Sequence, residues 1–449
     1  MYLREQLIKS QRLLIRRHKL TIERQAEGID SPRGIRMQRR IWLSSITVLM
    51  FVLVMASIPR GHTPIASRWN FNEHLYPVFK ERCGSCHVDG GIAPMSLVDY
   101  RSTFPWTQSI REEILGLRMP PWQAEDGFGE FRNGHALTST EMNMILEWSA
   151  GGYPEGPRDQ TPDATAQDQA QEWALGEPTV VLQIPQPFVL DAATSELVRY
   201  FVLSTDIGES KSILGAELRP GARAVVRGAA IFVDTTGAAR SLADADEAPG
   251  FSEPSDQSFP LTPPVAVWTP GQPSVINETA GYHLPESADL VVRIHYKKTW
   301  ITEGMDFSDQ SQIGLYLSES TTRPIKSLLV ASPSSLSGLK ASFTHDILDD
   351  ITVLALLPEV DIESSELQVE AVTPTGDRVP MLWLREPDEG WPTRFWFNSP
   401  VILPAGSRIE VTATLEPAAE RFPKPTLIGA RTAPIRVAID YVTGSLPAD

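Results

Sequence analysis

At 449 residues the chain is long enough for two or three domains. Its formal net charge of −16 argues against nucleic acid as a partner, since phosphate binding wants a basic face.

The charge is unevenly spread. Residues 1–40 hold 11 Lys/Arg against 4 Asp/Glu, a local +7, so the rest of the chain carries −23. Residues 41–58, Ile41 to Ile58, contain no charge and are enough to cross a hydrocarbon core as a helix. Arg39 and Arg40 precede them, so the positive-inside rule puts residues 1–40 in the cytoplasm and everything after Pro59 outside. A single-pass bacterial inner-membrane protein, with most of its chain in the periplasm, is expected. Val54-Met55-Ala56 resembles a signal-peptide cleavage site, but the basic leader is far longer than an ordinary signal allows, which favours a retained anchor. Leu7, Leu13, Leu14, Leu20 and Ile22 interleave with basic residues, as in an amphipathic helix on an anionic leaflet or in a solvated tail.

Residues 70–156 read as a helical domain. Asn70 and Glu73 make an N-terminal cap, after which Leu75, Val78, Phe79 and Cys83 recur at helical spacing. That helix runs into Cys83-Gly84-Ser85-Cys86-His87, which contains both cysteines of the chain at the spacing of a c-type haem attachment site. There the thiols form thioethers to the haem and the imidazole ligates the iron. A structural zinc site would need a second cysteine pair, and a thioredoxin-like motif would need a βαβ context; neither is present.

A second helix is expected over Trp106 to Leu117, ending before Met119-Pro120-Pro121-Trp122. A third starts at the capping box of Thr138 and Glu141, continues through Met142, Ile145, Leu146 and Trp148, and stops at Gly151-Gly152. This is the outline of a small all-α class I cytochrome c. Met119, held in a proline-stiffened loop, is the expected sixth iron ligand, with Met95 and His135 as competitors. Trp122 and Trp148 read as haem-pocket packing.

Residues 157–172 read as a linker, and helical periodicity then fades. Short apolar runs recur between turns, among them Val198–Leu203, Leu290–Tyr296, Ile351–Leu357 and Ile435–Tyr441. They indicate two antiparallel jelly-roll-like β-sandwiches, over 173–330 and 331–449. Only His283, His295 and His345 fall in this region, and loop 241–256 reads as a solvated acidic excursion.

Several local phrases carry a family resemblance. Ala93-Pro94-Met95, Met119-Pro120-Pro121-Trp122, Phe128-Gly129-Glu130-Phe131 and Trp173-Ala174-Leu175-Gly176-Glu177-Pro178 are the more specific. Arg219-Pro220-Gly221, Leu290-Val291-Val292-Arg293-Ile294-His295-Tyr296 and Asp309-Gln310-Ser311-Gln312-Ile313-Gly314-Leu315 follow in order. Over about residues 70–443 the chain resembles bacterial proteins that join a cytochrome c to a copper type II, ascorbate-dependent monooxygenase-like module. That module is related to the peptidylglycine and dopamine monooxygenases.

The resemblance implies two coppers, one per sandwich, and the ligand positions are largely lost. His295 matches one ligand, but a His-His pair would fall on Arg227-Gly228. A His-x-His motif would fall on Glu359 and Asp361, and a methionine near Arg436. An oxygen-activating site cannot be built from His295 alone, so no copper and no monooxygenase activity are expected. The expected role is a membrane-anchored single-electron carrier bearing one covalent haem c on Cys83, Cys86, His87 and Met119. Its partners would be periplasmic or membrane redox proteins. The alternative is a scaffolding subunit of a respiratory or photosynthetic membrane complex, docked through the sandwiches.

Overall fold

In the computed structural model of the chain, the residues described are 66–158, 173–254, 259, 262–318, 322–387, 390–416, 427–428 and 432–444. The expected membrane helix over 41–58 and the basic segment before it lie outside them, as does most of the 157–172 linker.

The helical part is small. Asn70 accepts a hydrogen bond from the Glu73 backbone N–H and starts a π-helical turn, Phe71–Leu75, that runs into α1, Tyr76–Arg82. α2 (Tyr100–Thr103) and α3 (Thr107–Leu115) follow, joined by a single 3₁₀ turn, Phe104–Trp106. α4 (Ser139–Ala150) begins at a complete capping box in which Thr138 and Glu141 satisfy each other's backbone N–H groups. The inward faces of these elements meet in one apolar cluster around Phe71, Leu75, Phe79, Ile110, Ile145 and Trp148.

The rest is β-structure apart from one short helix, Ala238–Ala245, which takes up the start of the stretch expected as an acidic loop. In the first sandwich, one sheet orders β1 (Val180–Gln183), β10 (Gln312–Ser318), β4 (Lys211–Arg219), β7 (Ala280–Leu284) and β11 (Arg323–Pro324). Facing it are β3 (Glu196–Ser204), β8 (Asp289–Lys297), β5 (Val226–Asp234) and β6 (Ala266–Trp268), while β2 (Phe188–Leu190) pairs with β9 (Phe307–Asp309). The second sandwich sets β12 (Lys326–Ala331), β19 (Ile435–Thr443), β14 (Ile351–Val360) and β17 (Phe395–Leu403) in one sheet. Its other sheet is β13 (Lys340–Asp346), β18 (Arg408–Leu415), β15 (Ser364–Val372) and β16 (Arg378–Arg385).

Burial explains the two kinds of strand sequence. β13 and β18 alternate exposed and buried residues, as strands with one wet face must. β8 and β14 are nearly continuous apolar runs because they are covered on both sides. One side faces the sandwich interior, and the other faces the neighbouring sandwich, where Ala230, Phe232 and Val291 pack with Leu357 and Ala438. Each large side chain fully buried there contributes roughly 1.5–3 kcal/mol. A polar lock adds to the same junction: Tyr282 Oη donates to Asp440 at 2.9 Å, and Arg394 pairs with Asp440 at 3.1 Å while donating to the Val265 carbonyl at 2.7 Å.

The expected fold class is corrected here. No sizeable all-α class I cytochrome c domain stands apart. Among the described residues the longest helix, α4, has 12 residues, and Ala66–Asp449 is one unit. The physical reason lies in the segment after Met119, which has no helical partner and adds to the second sandwich instead. Ala124 bridges Leu384 and Phe131 bridges Phe397, with Glu125 N–H donating to Trp383 and Arg132 N–H to Trp396, both at 2.8 Å. Trp122 and Phe131 pack on the second sandwich's core, so Trp122 is not solely a helical-domain residue. The molecule is mainly β.

The localisation is corrected as well. Among the described residues no helix is long and apolar enough to cross a membrane, so a single-pass inner-membrane placement has no support. The metal-binding expectation changes in the same way: among the described residues no group of three or more His, Cys, Asp or Glu gathers where it could hold a metal ion.

Candidate functional site

The Cys83–His87 pentapeptide continues the last turn of α1. Cys83 N–H donates to the Phe79 carbonyl at 2.9 Å, and the Cys83 carbonyl accepts from the N–H groups of Cys86 at 3.1 Å and His87 at 2.8 Å. This tight turn brings both sulfurs and the imidazole onto the wall of one cavity of about 170 Å³. Phe79, Ile92, Leu97, Ile110 and Ile114 make its apolar surface. Both cysteines are free thiols and partly buried. Burial, reinforced by Cys86, pushes the Cys83 thiol up to about 12. Burial raises Cys86 too, while Ser85, Arg227 and Arg223 pull it back.

His87 is almost fully buried, and its Nδ1 lies 3.1 Å from the Met95 carbonyl oxygen. With Nδ1–H donating there, Nε2 keeps its lone pair, the arrangement that orients an imidazole as a metal ligand. Burial holds the ring's pKa below its ordinary value, against the pull of the Met95 carbonyl, and so favours the neutral form.

The three sixth-ligand candidates all line the cavity but differ in their ties. The Met95 backbone is committed to the Nδ1 side of His87 and its side chain packs into the helical core. His135 Nε2 sits 3.0 Å from the Arg82 carbonyl. Met119 lies beyond α3 and is partly exposed.

Sequence reading missed the far wall, which comes from the sandwiches. Arg227, Pro270, Gly271, Gln272, Thr299 and Trp391 complete the cavity. Gly271 has a φ of +83°, and a Cβ on it would lie 2.9 Å from Ser85 Oγ and 3.4 Å from Cys86 Sγ. Glycine takes that backbone angle and that approach without strain, whereas a side chain there would push against Ser85. The one local signal was the Thr269-Pro270-Gly271 turn, which says nothing about what it meets.

A second cavity, of about 400 Å³, lies between the sandwiches and shares Trp391 with the first. Its titratable groups are paired. His295 Nε2 is 2.8 Å from Glu196, and Arg436 binds Asp361 at 2.6 Å and Glu359 at 3.0 Å. Burial lowers the His295 pKa to about 4, against the opposing pull of Glu196. Burial raises that of Glu359, with Arg436 opposing.

No protein-family model matches the chain, and no curated protein matches it. Among solved structures it is similar to the VP2 subviral particle of infectious bursal disease virus, at 9% identity over 61% of this chain and 78% of that one, with a TM-score of 0.14. It is also similar to an uncharacterized protein from Listeria monocytogenes EGD-e, at 8% identity over 56% and 22% of the two chains, again with a TM-score of 0.14. Likenesses at that level carry no argument about fold or function.

Proposed function

We propose that Cys83 and Cys86 carry one covalent haem c, with His87 and Met119 as its axial ligands, and that the chain acts as a single-electron carrier rather than a catalyst. One observation supports the reading above the rest: two thiols, an imidazole with a free Nε2 and a thioether line one apolar cavity. The donor set fits the group, since thioether attachment needs two thiols at this spacing, and the His87 nitrogen and Met119 sulfur would be the groups to hold the iron. Bound haem would supply a one-electron couple between ferric and ferrous iron, and Met ligation would keep its potential relatively high.

The protein's own contribution is orientation and an apolar lining. Met95 fixes the imidazole through its carbonyl, and Phe79, Ile110 and Ile114 give the cavity an apolar wall. The sandwich loop at Gly271 closes against the cysteines. The partner would be another redox protein.

Expression in a host that attaches haem c tests the proposal. The reduced protein should show a c-type α band that survives acid-acetone extraction, and Cys83→Ala/Cys86→Ala should lose it. Haem that extracts freely from the unsubstituted chain would rule out the covalent assignment.

A further inference from the structure

Helix α3 stops in a Schellman turn. Arg118 N–H donates to the Glu113 carbonyl at 3.0 Å and Leu117 N–H to the Ile114 carbonyl at 3.2 Å. This geometry holds Leu117 at a φ of +54°, in the left-handed region, where glycine is the usual residue because a side chain is strained there. Burial does not offset the strain: Leu117 is 61% exposed, and Leu115 and Met119 beside it are exposed as well. For the fold alone, glycine would serve this position better.

A second exposed apolar group lies on the first sandwich. Trp300, Ile301 and Met305 sit in the loop between β8 and β9, with Trp300 66% exposed. The loop is tied down. Thr299 N–H donates to Thr302 Oγ1 at 2.8 Å, and the Thr299 carbonyl accepts from the N–H groups of Thr302 at 2.9 Å and Glu303 at 3.0 Å. Both groups border the Cys83–His87 cavity, because Met119 and Thr299 line it. Glu303 and Asp306 are exposed in the same loop, and among the described residues neither has an ion-pair partner. The chain after residue 40 carries −23.

We infer that Leu117 and the Trp300 loop form a docking face for a basic protein, which covers their apolar surface and matches the carboxylates beside it. That this partner exchanges electrons rests on the haem reading above; the docking face does not. Acidic residues around an apolar centre speed the encounter with a cationic partner and make it salt-dependent. The same charge repels anionic lipid.

Calorimetric titration of the full chain at low salt tests the face, with or without haem. The probes are a small basic cytochrome c and the same protein with its lysines succinylated. The basic probe should bind and the succinylated one should not. Trp300→Ser and Leu117→Gly should each weaken binding at least fivefold, and Glu303→Gln/Asp306→Asn should reduce its salt dependence. Leu117→Gly should also raise the thermal midpoint, since glycine takes the left-handed angle freely. Affinity unchanged in these variants, or equal for the two probes, overturns the inference. So does a lower midpoint in Leu117→Gly, because the fold itself would then need the leucine. Sedimentation with phosphatidylcholine vesicles that Trp300→Ser abolishes, without binding of the basic probe, would make the loop a membrane contact instead. Dimerisation that Leu117→Gly abolishes, again without probe binding, would assign the face to a second copy of this chain and overturn the inference too.

In the haem-loaded chain, electron exchange with the basic probe should slow about tenfold in both variants while the Met-ligated near-infrared band stays in place. No slowing, or slowing only where that band is lost, overturns the inference. Absence of covalent haem in the unsubstituted chain refutes the haem reading and leaves the titration to decide the docking face.

Discussion

The Arg394 guanidinium and the Asp440 carboxylate meet 3.1 Å apart, and both are almost completely shielded from water. Arg394 also donates to backbone carbonyls of Pro264 and Val265 in the first sandwich, and Asp440 accepts from Tyr282 there, so the pair joins two sandwiches through one carboxylate. Removing one partner strands a buried charge. Asp440→Ala should therefore cost roughly 3–5 kcal/mol, read as a lower urea midpoint. The double variant Arg394→Leu/Asp440→Leu should recover part of that loss. A single-variant loss below about 1 kcal/mol would show that the pair is not what joins the sandwiches.

Ligand exchange at the pocket separates the methionines. Met119→Ala should abolish the weak near-infrared band of Met-ligated ferric haem, whereas Met95→Ala should keep the band and cost stability through the helical core. Loss of the band in Met95→Ala alone would move the sixth ligand to Met95.

Acid should weaken the junction at His295. Its folded pKa, about 4, lies below the ordinary histidine value near 6.5. The folded state therefore holds the ring neutral, and the stability that goes with this is present above about pH 6.5. It is lost as pH falls from there toward the folded value, on the order of 1–3 kcal/mol. His295→Gln should flatten that part of a stability-versus-pH curve measured by urea unfolding; an unaltered slope between pH 6.5 and 4 refutes it.

The start of α4 offers a local test. Thr138→Ala removes the capping side chain and leaves Glu141 without its partner, which should cost about 1 kcal/mol. Arg82, whose guanidinium pairs with Glu141 at 3.1 Å, immediately precedes the first cysteine. Hydrogen exchange should therefore rise at Cys83–His87 as well as in α4. Exchange confined to α4 would show that the cap does not steady the pentapeptide.

Short-range features were readable because their causes are short-range. The cap at Asn70, the box at Thr138 and the turn at Cys83–His87 depend on residues three or four apart. The apolar runs of β8 and β14 likewise announce strands buried on two faces. What could not be read was which distant backbone each piece meets. Residues 122–134 have no strand alternation, yet they bond to Trp383, Trp396 and Asn398. Arg227 looked only like a lost ligand position, and Gly271 like an ordinary turn. Nothing in their surroundings says that they face Cys86, because pairing across the chain leaves no local periodicity.

The position of Trp391 on the pocket wall has a consequence for synthesis. About 300 residues separate it from Cys86, and at 5–20 residues per second a ribosome needs roughly 15–60 s to bridge that interval. During that time the far wall lacks Trp391, although Arg227, Gly271 and Thr299 are made earlier in the interval. An attachment machinery would thus meet an open cleft on a nascent chain, and the C-terminal third would close over whatever had been installed.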